Sequence, residues 1–168
     1  MKRTVLVGST LLLGAVLFGC AQGAHPQRSS HENDGLTWER AKELTQNRER
    51  EIVAMFPGGE LEAVEQDPEG VLLSCDTTTY NWNGVTNVSL TGHTPVAKLI
   101  REVGRQCEAH DWEVLTIPSP LGRSRIQLIA PDGVENYIVA EGEPGVIRIA
   151  SGSPCFALPE GTYPGGTW

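Results

Sequence analysis

The sequence lacks an excess of basic residues. Its 168 residues include 13 Lys and Arg against 21 Asp and Glu, which gives a formal net charge of -8 at pH 7. A protein that binds DNA or RNA needs a basic face to neutralise the phosphates. The charge balance therefore argues against a nucleic-acid partner.

The sequence also lacks an apolar run long enough for a comfortable membrane span. Its longest such stretch, Val5 to Phe18, contains interrupting Gly, Ser and Thr residues, whereas a transmembrane helix needs about 20 apolar residues. Lys2 and Arg3 precede the stretch and Cys20 follows it, which is the pattern of a secretory signal. We therefore predict a signal peptide over residues 1–19.

Cys20 makes this interpretation more specific. Leu17 lies three residues before it and Gly19 one residue before it. The pattern resembles the lipobox of bacterial lipoproteins, in which the cysteine receives a diacylglyceryl group before cleavage on its amino side, although Phe18 departs from the usual small residue. The resemblance implies a membrane anchor on Cys20, because two or three acyl chains hold a protein firmly where one holds it marginally. The alternative is an ordinary secretory signal with an incidental cysteine.

Residues 20–35 are expected to form a flexible tether. They are rich in Ser, Gln, Asn and Gly and have no apolar periodicity. His25 and His31 lie here without further metal-ligating partners, so we predict no metal site. We assign residues 36–168 to a single domain, because a content of 39% hydrophobic residues suffices for a core. The 19 Gly and 11 Pro residues predict many turns.

Two segments of this domain have helical apolar spacing. They run from Leu36 to Phe56 and from Val96 to about Ala109. Between them, strand-like residues over 71–80 and 85–90 flank Asn83-Gly84, a dipeptide that favours a type I′ turn. Four more strand-like segments follow the second helix, over residues 112–117, 125–130, 134–140 and 146–151.

These patterns predict an α+β fold with the order α-β-β-α-β-β-β-β. We expect one antiparallel sheet of about six strands with both helices packed on a single face. The tail from Gly161 to Trp168 is either a flexible end or a strap across the sheet.

Three cysteines remain besides Cys20, and this odd number leaves one free or paired with another chain. Cys107 falls on the apolar stripe of the second helix, where a buried thiol behaves as a small hydrophobe. Cys75 ends an early strand and Cys155 follows the last one, so a bridge between them can tie the chain's end to its beginning. We predict a Cys75–Cys155 disulfide, which an exported domain permits; pairings through Cys107 are the alternative.

Several of these features together resemble a group of predicted lipoproteins from high-GC Gram-positive bacteria. They are the lipobox, the tether, Leu-Leu-Ser-Cys75, Trp82-Asn83-Gly84 and Ser153-Pro154-Cys155-Phe156. The resemblance covers most of the processed chain. It implies attachment to the extracytoplasmic face of the cell membrane and supports the bridge, but it implies no activity or substrate.

The sequence has none of the common catalytic motifs. Gly-x-Ser-x-Gly, the phosphate loop, His-Glu-x-x-His and the calcium loop are all missing. Cys107 and His110 are only two ligands, too few for zinc, and a thiol on an apolar stripe is a poor nucleophile. We therefore predict a protein that is not an enzyme and that uses no cofactor. The alternatives are an envelope hydrolase with an unrecognised site and a structural or assembly factor of a membrane complex.

Tyr80 and Trp82 are the candidate binding residues. They lie two positions apart beside Asn81 and Asn83, so in a strand both rings would lie on one face. As an exposed platform they would suit stacking on a sugar or holding a peptide. This predicts a module that binds an envelope protein or glycan; the alternative is that both rings cover the core.

Overall fold

The computed structural model describes residues 35–168. The predicted signal peptide, Cys20 and all but the last residue of the predicted tether lie outside this range. The two helices are α1 (Trp38–Ala54) and α2 (Val96–Glu108). The strands are β1 (Leu61–Gln66), β2 (Val71–Ser74), β3 (Thr79–Leu90), β4 (Glu113–Thr116), β5 (Arg125–Ile129), β6 (Asn136–Glu141), β7 (Val146–Gly152) and β8 (Phe156–Ala157).

All eight strands belong to one antiparallel sheet with the order β1-β3-β7-β6-β5-β4. The 12-residue strand β3 is the longest and pairs with four other strands. β1 and β2 pair with successive parts of one edge of β3, and β7 and β8 pair with its other edge. The predicted α+β class is therefore confirmed, with two strands more than expected.

Both helices pack on the same face of the sheet, as predicted. Glu49 of α1 contacts Thr86 of β3, while the backbone of Gly104 in α2 lies close to the side chain of Ile126 in β5. Thr86 and Ile126 occupy the same cross-strand row, through Ile149 and Val139. The main core lies between this face and the helices.

A smaller core cluster lies beside the first half of β3. Trp82, Phe156 and Ala41 form its buried centre. The tail closes it, since the N–H of Trp168 donates to the Gly70 carbonyl at 3.0 Å and the Gly70 N–H donates back at 2.9 Å. Residues 161–168 are thus a strap that ends on this cluster.

Asn83-Gly84 does not form the predicted hairpin turn. Both residues lie inside β3, and Gly84 does not have a positive φ. The indole of Trp82 occupies the space where a side chain at position 84 would stand. The glycine therefore serves close packing, and this packing overrides the local turn preference.

β1 lies in a segment for which the sequence analysis predicts no strand. Its sequence Leu-Glu-Ala-Val-Glu-Gln has little apolar alternation, and four of its six residues are exposed. Pairing with β3 makes it a strand. The two-residue strand β8 escapes prediction for the same reason, because it exists only through its register with Thr79 and Tyr80.

The predicted disulfide is confirmed. Cys75 and Cys155 are bonded, with their Cα atoms 6.4 Å apart and a sequence separation of 80. Cys107 is free and completely buried. The bridge joins the end of β2 to the segment before β8, on opposite sides of β3.

Candidate ligand-binding face of the sheet

The face of the sheet opposite the helices is not covered by any helix or strand of residues 35–168. Along β3, buried residues alternate with half-buried ones from Trp82 to Leu90, and the half-buried set faces away from the helices. We call this surface the open face. It carries three features in successive bands, namely an amide cluster, an apolar row and an arginine pair.

The amide cluster consists of Asn81, Asn83 and Asn136 around Gly152. Strand register places Gly152 between Asn83 of β3 and Asn136 of β6. A Cβ atom on Gly152 would lie 3.2 Å from Asn81 Nδ2, 3.4 Å from Asn83 Oδ1 and 3.6 Å from Asn136 Nδ2. The glycine therefore leaves a shallow floor that three amides surround.

The cluster retains unused hydrogen-bonding capacity. Asn83 Nδ2 donates to Asn81 Oδ1 at 3.1 Å, which orients both amides. Among residues 35–168, no side-chain hydrogen bond occupies the Nδ2 groups of Asn81 and Asn136. A primary amide offers two donors and an acceptor. The cluster can therefore bind a neutral group that both donates and accepts, such as a hydroxyl.

The apolar row crosses the sheet next to the amide cluster. It contains, in order across five strands, Val85, Ala150, Ile138, Gln127 and Leu115. The side chains are small or medium, and Leu115 at the outer end is 40% exposed. The row forms a flat, weakly apolar strip.

The arginine pair consists of Arg148 and Arg125, which flank Ala140. Ala140 of β6 lies opposite Arg148 of β7 on one side and Arg125 of β5 on the other. Neither guanidinium makes an ion pair or a hydrogen bond with another side chain of residues 35–168, and Arg125 Nε is buried without a partner. The small Ala140 leaves space between them.

The predicted aromatic platform is wrong. Trp82 is completely buried, and its indole N–H donates to the Trp168 carbonyl at 3.3 Å. Tyr80 packs against the same small cluster. The two rings do share a face, but it is the face that the helices cover. The neighbouring Asn81 and Asn83 lie on the open face instead.

A cleft of about 730 Å³ lies between the ends of the two helices. Its walls combine apolar and charged side chains: Ala54, Met55, Phe56, Pro57, Trp112 and Pro131 with Arg48, Glu51, Glu102, Gln106 and His110. The Arg48 guanidinium lies 5.9 Å from the centroid of the Trp112 ring and bonds to Glu51 Oε2 at 2.7 Å. The cleft is a second concave region of the molecule.

A buried polar network adjoins the cleft. Glu135 is 3% exposed, lies 3.5 Å from Arg48 and accepts a hydrogen bond from Tyr137 Oη at 3.2 Å. Burial, together with the charge of Asp132, raises the pKa of Glu135, and Arg48 and the Tyr137 hydroxyl oppose that shift only in part. Burial and the neighbouring carboxylates also raise the pKa of Tyr137.

A second buried carboxylate belongs to Glu49, which is completely buried. Its Oε2 atom accepts hydrogen bonds from Thr86 and Gln66, both at 2.7 Å, and its Oε1 atom accepts one from Ser151. With three donors the carboxylate is well satisfied. Glu49 therefore ties α1 to the sheet.

Cys107 is a structural thiol. Burial raises its pKa to about 12, and its Sγ lies 3.2 Å from Met55 Sδ. His110 Nδ1 lies 2.8 Å from the Gln106 carbonyl oxygen and is exposed. A thiol with so high a pKa stays protonated at neutral pH, so it is not poised as a nucleophile.

Within the range that the structure covers, neither helix has the length and apolarity to cross a bilayer. The same range holds no group of three or more His, Cys, Asp or Glu residues placed to bind a metal ion. Comparison of this chain with protein-family models, with curated proteins and with solved structures finds no match.

Proposed function

We propose that this protein is a lipid-anchored extracytoplasmic module that binds a glycan of the cell envelope through the open face of its sheet. In this proposal Cys20 carries the lipid and the domain performs no catalysis. The observation that carries the binding part is the amide cluster around Gly152, which presents unused donors and acceptors on an uncovered surface.

The chemistry of the open face favours a hydroxyl-rich ligand. Amides hydrogen-bond to hydroxyls in both directions, and the apolar row beside them can contact the C–H surface of a sugar ring. Both features lie on paired strands of the sheet, which hold the side chains in position before a ligand arrives. Binding therefore needs to order few groups.

The anchoring part is supported by the residues before and at Cys20. Its test is Cys20→Ser in the full-length protein, expressed in a high-GC Gram-positive host and fractionated. We expect the wild type to label with a fatty acid and to sediment with membranes. The variant should lose the label and either appear in the medium or remain as an uncleaved precursor. Unchanged acylation of the variant would contradict the proposal.

The binding part is tested with the full-length protein in detergent against purified cell-wall glycan. Gly152→Leu places a side chain in the centre of the amide cluster, so we expect it to abolish co-sedimentation. The control is Ser89→Val, on the same face of β3 and about 20 Å from Asn83 along the strand. Equal binding by both variants and the wild type would overturn the proposal, whereas capture of an envelope protein instead would favour the assembly factor.

A second candidate function, an envelope hydrolase, is favoured by the raised pKa of Glu135 beside the interhelical cleft. Carboxyls with raised pKa values serve as general acids in many hydrolases. The test is release of soluble sugars or amino acids from cell-wall preparations by the wild type and by Glu135→Gln. Activity that Glu135→Gln removes while the variant remains folded would favour the enzyme.

A further inference from the structure

The arginine pair is an unexpected feature of an acidic protein. The chain contains 21 acidic and 13 basic residues, yet the third band of the open face carries two arginines with no carboxylate between them. By register, the acidic side chain in this band is Glu65, beyond Asn87. Glu141 lies next to Ala140 and accepts a hydrogen bond from the Ser124 N–H, and Glu143 follows in the β6–β7 connection. This band therefore holds two positive charges against the one carboxylate of Glu65.

Strand geometry brings the two guanidinium groups within reach of one anion. Neighbouring strands lie about 4.8 Å apart, and Arg148 and Arg125 are separated by one strand, with only Ala140 between them. Two long side chains across such a gap can converge above the alanine. Arginine binds phosphate and carboxylate with two parallel N–H···O bonds. Neither guanidinium has an ion-pair partner among residues 35–168 to compete for them, and Arg125 Nε is buried without a hydrogen bond.

We propose that the arginine pair binds the anionic groups of the envelope glycan, so that the ligand is a sugar polymer that carries phosphate or carboxylate. This inference rests on the proposed function and extends it. Asn136 in the amide cluster and Ala140 are four positions apart along β6, a distance of about 13 Å. One extended chain can therefore place hydroxyls on the amides, ring C–H groups on the apolar row and an anionic group between the arginines.

The observations favour a glycan over an acidic protein partner. Protein interfaces depend on a few aromatic or aliphatic anchors that fill pockets. Two cavities of residues 35–168 are lined by residues of the helical side, whereas the concave feature described on the open face is the shallow floor at Gly152. Amides spread over a flat surface match closely spaced hydroxyls, and the two free arginines supply the charge complementarity.

The experiment compares four probes by calorimetry with the full-length protein in detergent. They are polygalacturonate, its fully methyl-esterified neutral form, a glycerol-phosphate polymer, and poly-glutamate as an acidic polypeptide. We expect the wild type to prefer the polyanionic glycans by about tenfold or more, with affinity that falls as salt rises. The better of the carboxylate and phosphate polymers identifies the anionic group.

The variant is Arg125→Gln/Arg148→Gln, and the matched control is Arg101→Gln, an exposed arginine of α2. We expect the double variant to lose the preference for anionic polymers while it keeps the weaker binding of the neutral polymer, and the control to behave as wild type. The thermal midpoint of the double variant should stay close to that of the wild type, since neither arginine is paired. If the double variant does not fold, Arg125→Lys/Arg148→Lys takes its place. This lysine variant should retain part of the preference for anionic polymers.

Each other outcome has a definite meaning. If the wild type binds neutral and anionic glycans equally, the role of the arginine pair is refuted and the proposed function stands. If the double variant binds anionic polymers as tightly as the wild type, the anion site is likewise refuted. Binding of poly-glutamate alone would replace the glycan with an acidic protein. If no glycan binds, both proposals fail together.

Discussion

The indole ring of Trp82 lies directly over Gly84, two residues further along the same strand. Ring atoms Cη2 and Cζ3 occupy the volume that any side chain at position 84 would need. The same ring also lies against the backbone of Gly70. Trp82 is therefore enclosed by two glycines, and the position of its ring depends on the absence of a Cβ at both.

Gly84→Ala should destabilise the domain much more than Gly152→Ala. Gly84→Ala forces the buried indole to move, so we expect a loss of about 1–3 kcal/mol or more in the free energy of unfolding. Gly152→Ala places its methyl group among half-exposed asparagine side chains that can shift, and its effect should stay within about 1 kcal/mol. Urea denaturation measures both. Equal losses would show that the indole is not confined as described.

Trp82→Ala should destabilise the domain instead of revealing a binding contact. Removal of a completely buried tryptophan costs about 3–5 kcal/mol. Tyr163→Ala, at an aromatic side chain that is 81% exposed, should change the stability by no more than about 0.5 kcal/mol. Chemical denaturation of both variants separates the two cases. Glycan binding lost in Trp82→Ala would therefore report unfolding.

Removal of the disulfide should cost a large part of the stability. A bridge over a sequence separation of 80 restricts the unfolded chain by about 4.5 kcal/mol in the chain-entropy model. We expect Cys75→Ser/Cys155→Ser to lower the free energy of unfolding by about 2–5 kcal/mol, measured by denaturation under non-reducing conditions. The wild type with added reductant should approach the double variant. A reduced protein as stable as the oxidised one would contradict this prediction.

Asp76 should make the domain sensitive to acid. Hydrogen bonds from the Thr78 and Thr79 backbone N–H groups, at 2.7 and 2.8 Å, and from both hydroxyls lower the pKa of its carboxyl from 3.8 to about 2. Because the folded pKa lies below the unfolded one, the stabilising effect is present above about pH 4 and is lost as the pH falls towards 2. The stability difference between wild type and Asp76→Asn should shrink over this interval in parallel denaturation series. A constant difference would refute the role of the carboxylate.

Glu135 should produce the opposite pH dependence. Its pKa in the folded protein lies above the ordinary value of 4.5, so its contribution to stability is complete below that value and is lost as the pH rises through the folded pKa. Glu135→Gln should therefore gain stability relative to the wild type as the pH rises above about 4.5. Thermal unfolding across this range measures the gain. The exposed substitution Glu108→Gln is the control and should show no such trend.

The helices were predictable because apolar spacing is a local signal. The disulfide was predictable because only three cysteines remain besides Cys20. The apolar spacing of α2 places Cys107 on its buried stripe, which leaves Cys75 and Cys155 as partners on opposite sides of the sheet. By contrast, Asn83-Gly84 carries a strong turn signal that packing overrides. A sequence does not show that Trp82 will lie over the glycine.

The candidate site was predictable only in part. Alternation along a strand shows that Tyr80 and Trp82 share a face, but which face is covered depends on where the helices pack. The amide cluster arises from the register of three strands that bring positions 81, 83, 136 and 152 together. Arg125 and Arg148 likewise become neighbours only across β6. No local pattern contains these long-range pairings.

Because β3 pairs with four other strands, the last of these partners to be made determines when the chain can fold. One edge of this strand is completed only by β7 and β8, which come late in the sequence. Until residues 146–157 emerge from the ribosome, β3 presents an unpaired edge that invites aggregation. A fragment that stops at Gly145 should therefore remain unfolded, and folding proceeds as a single late event once the last strands arrive.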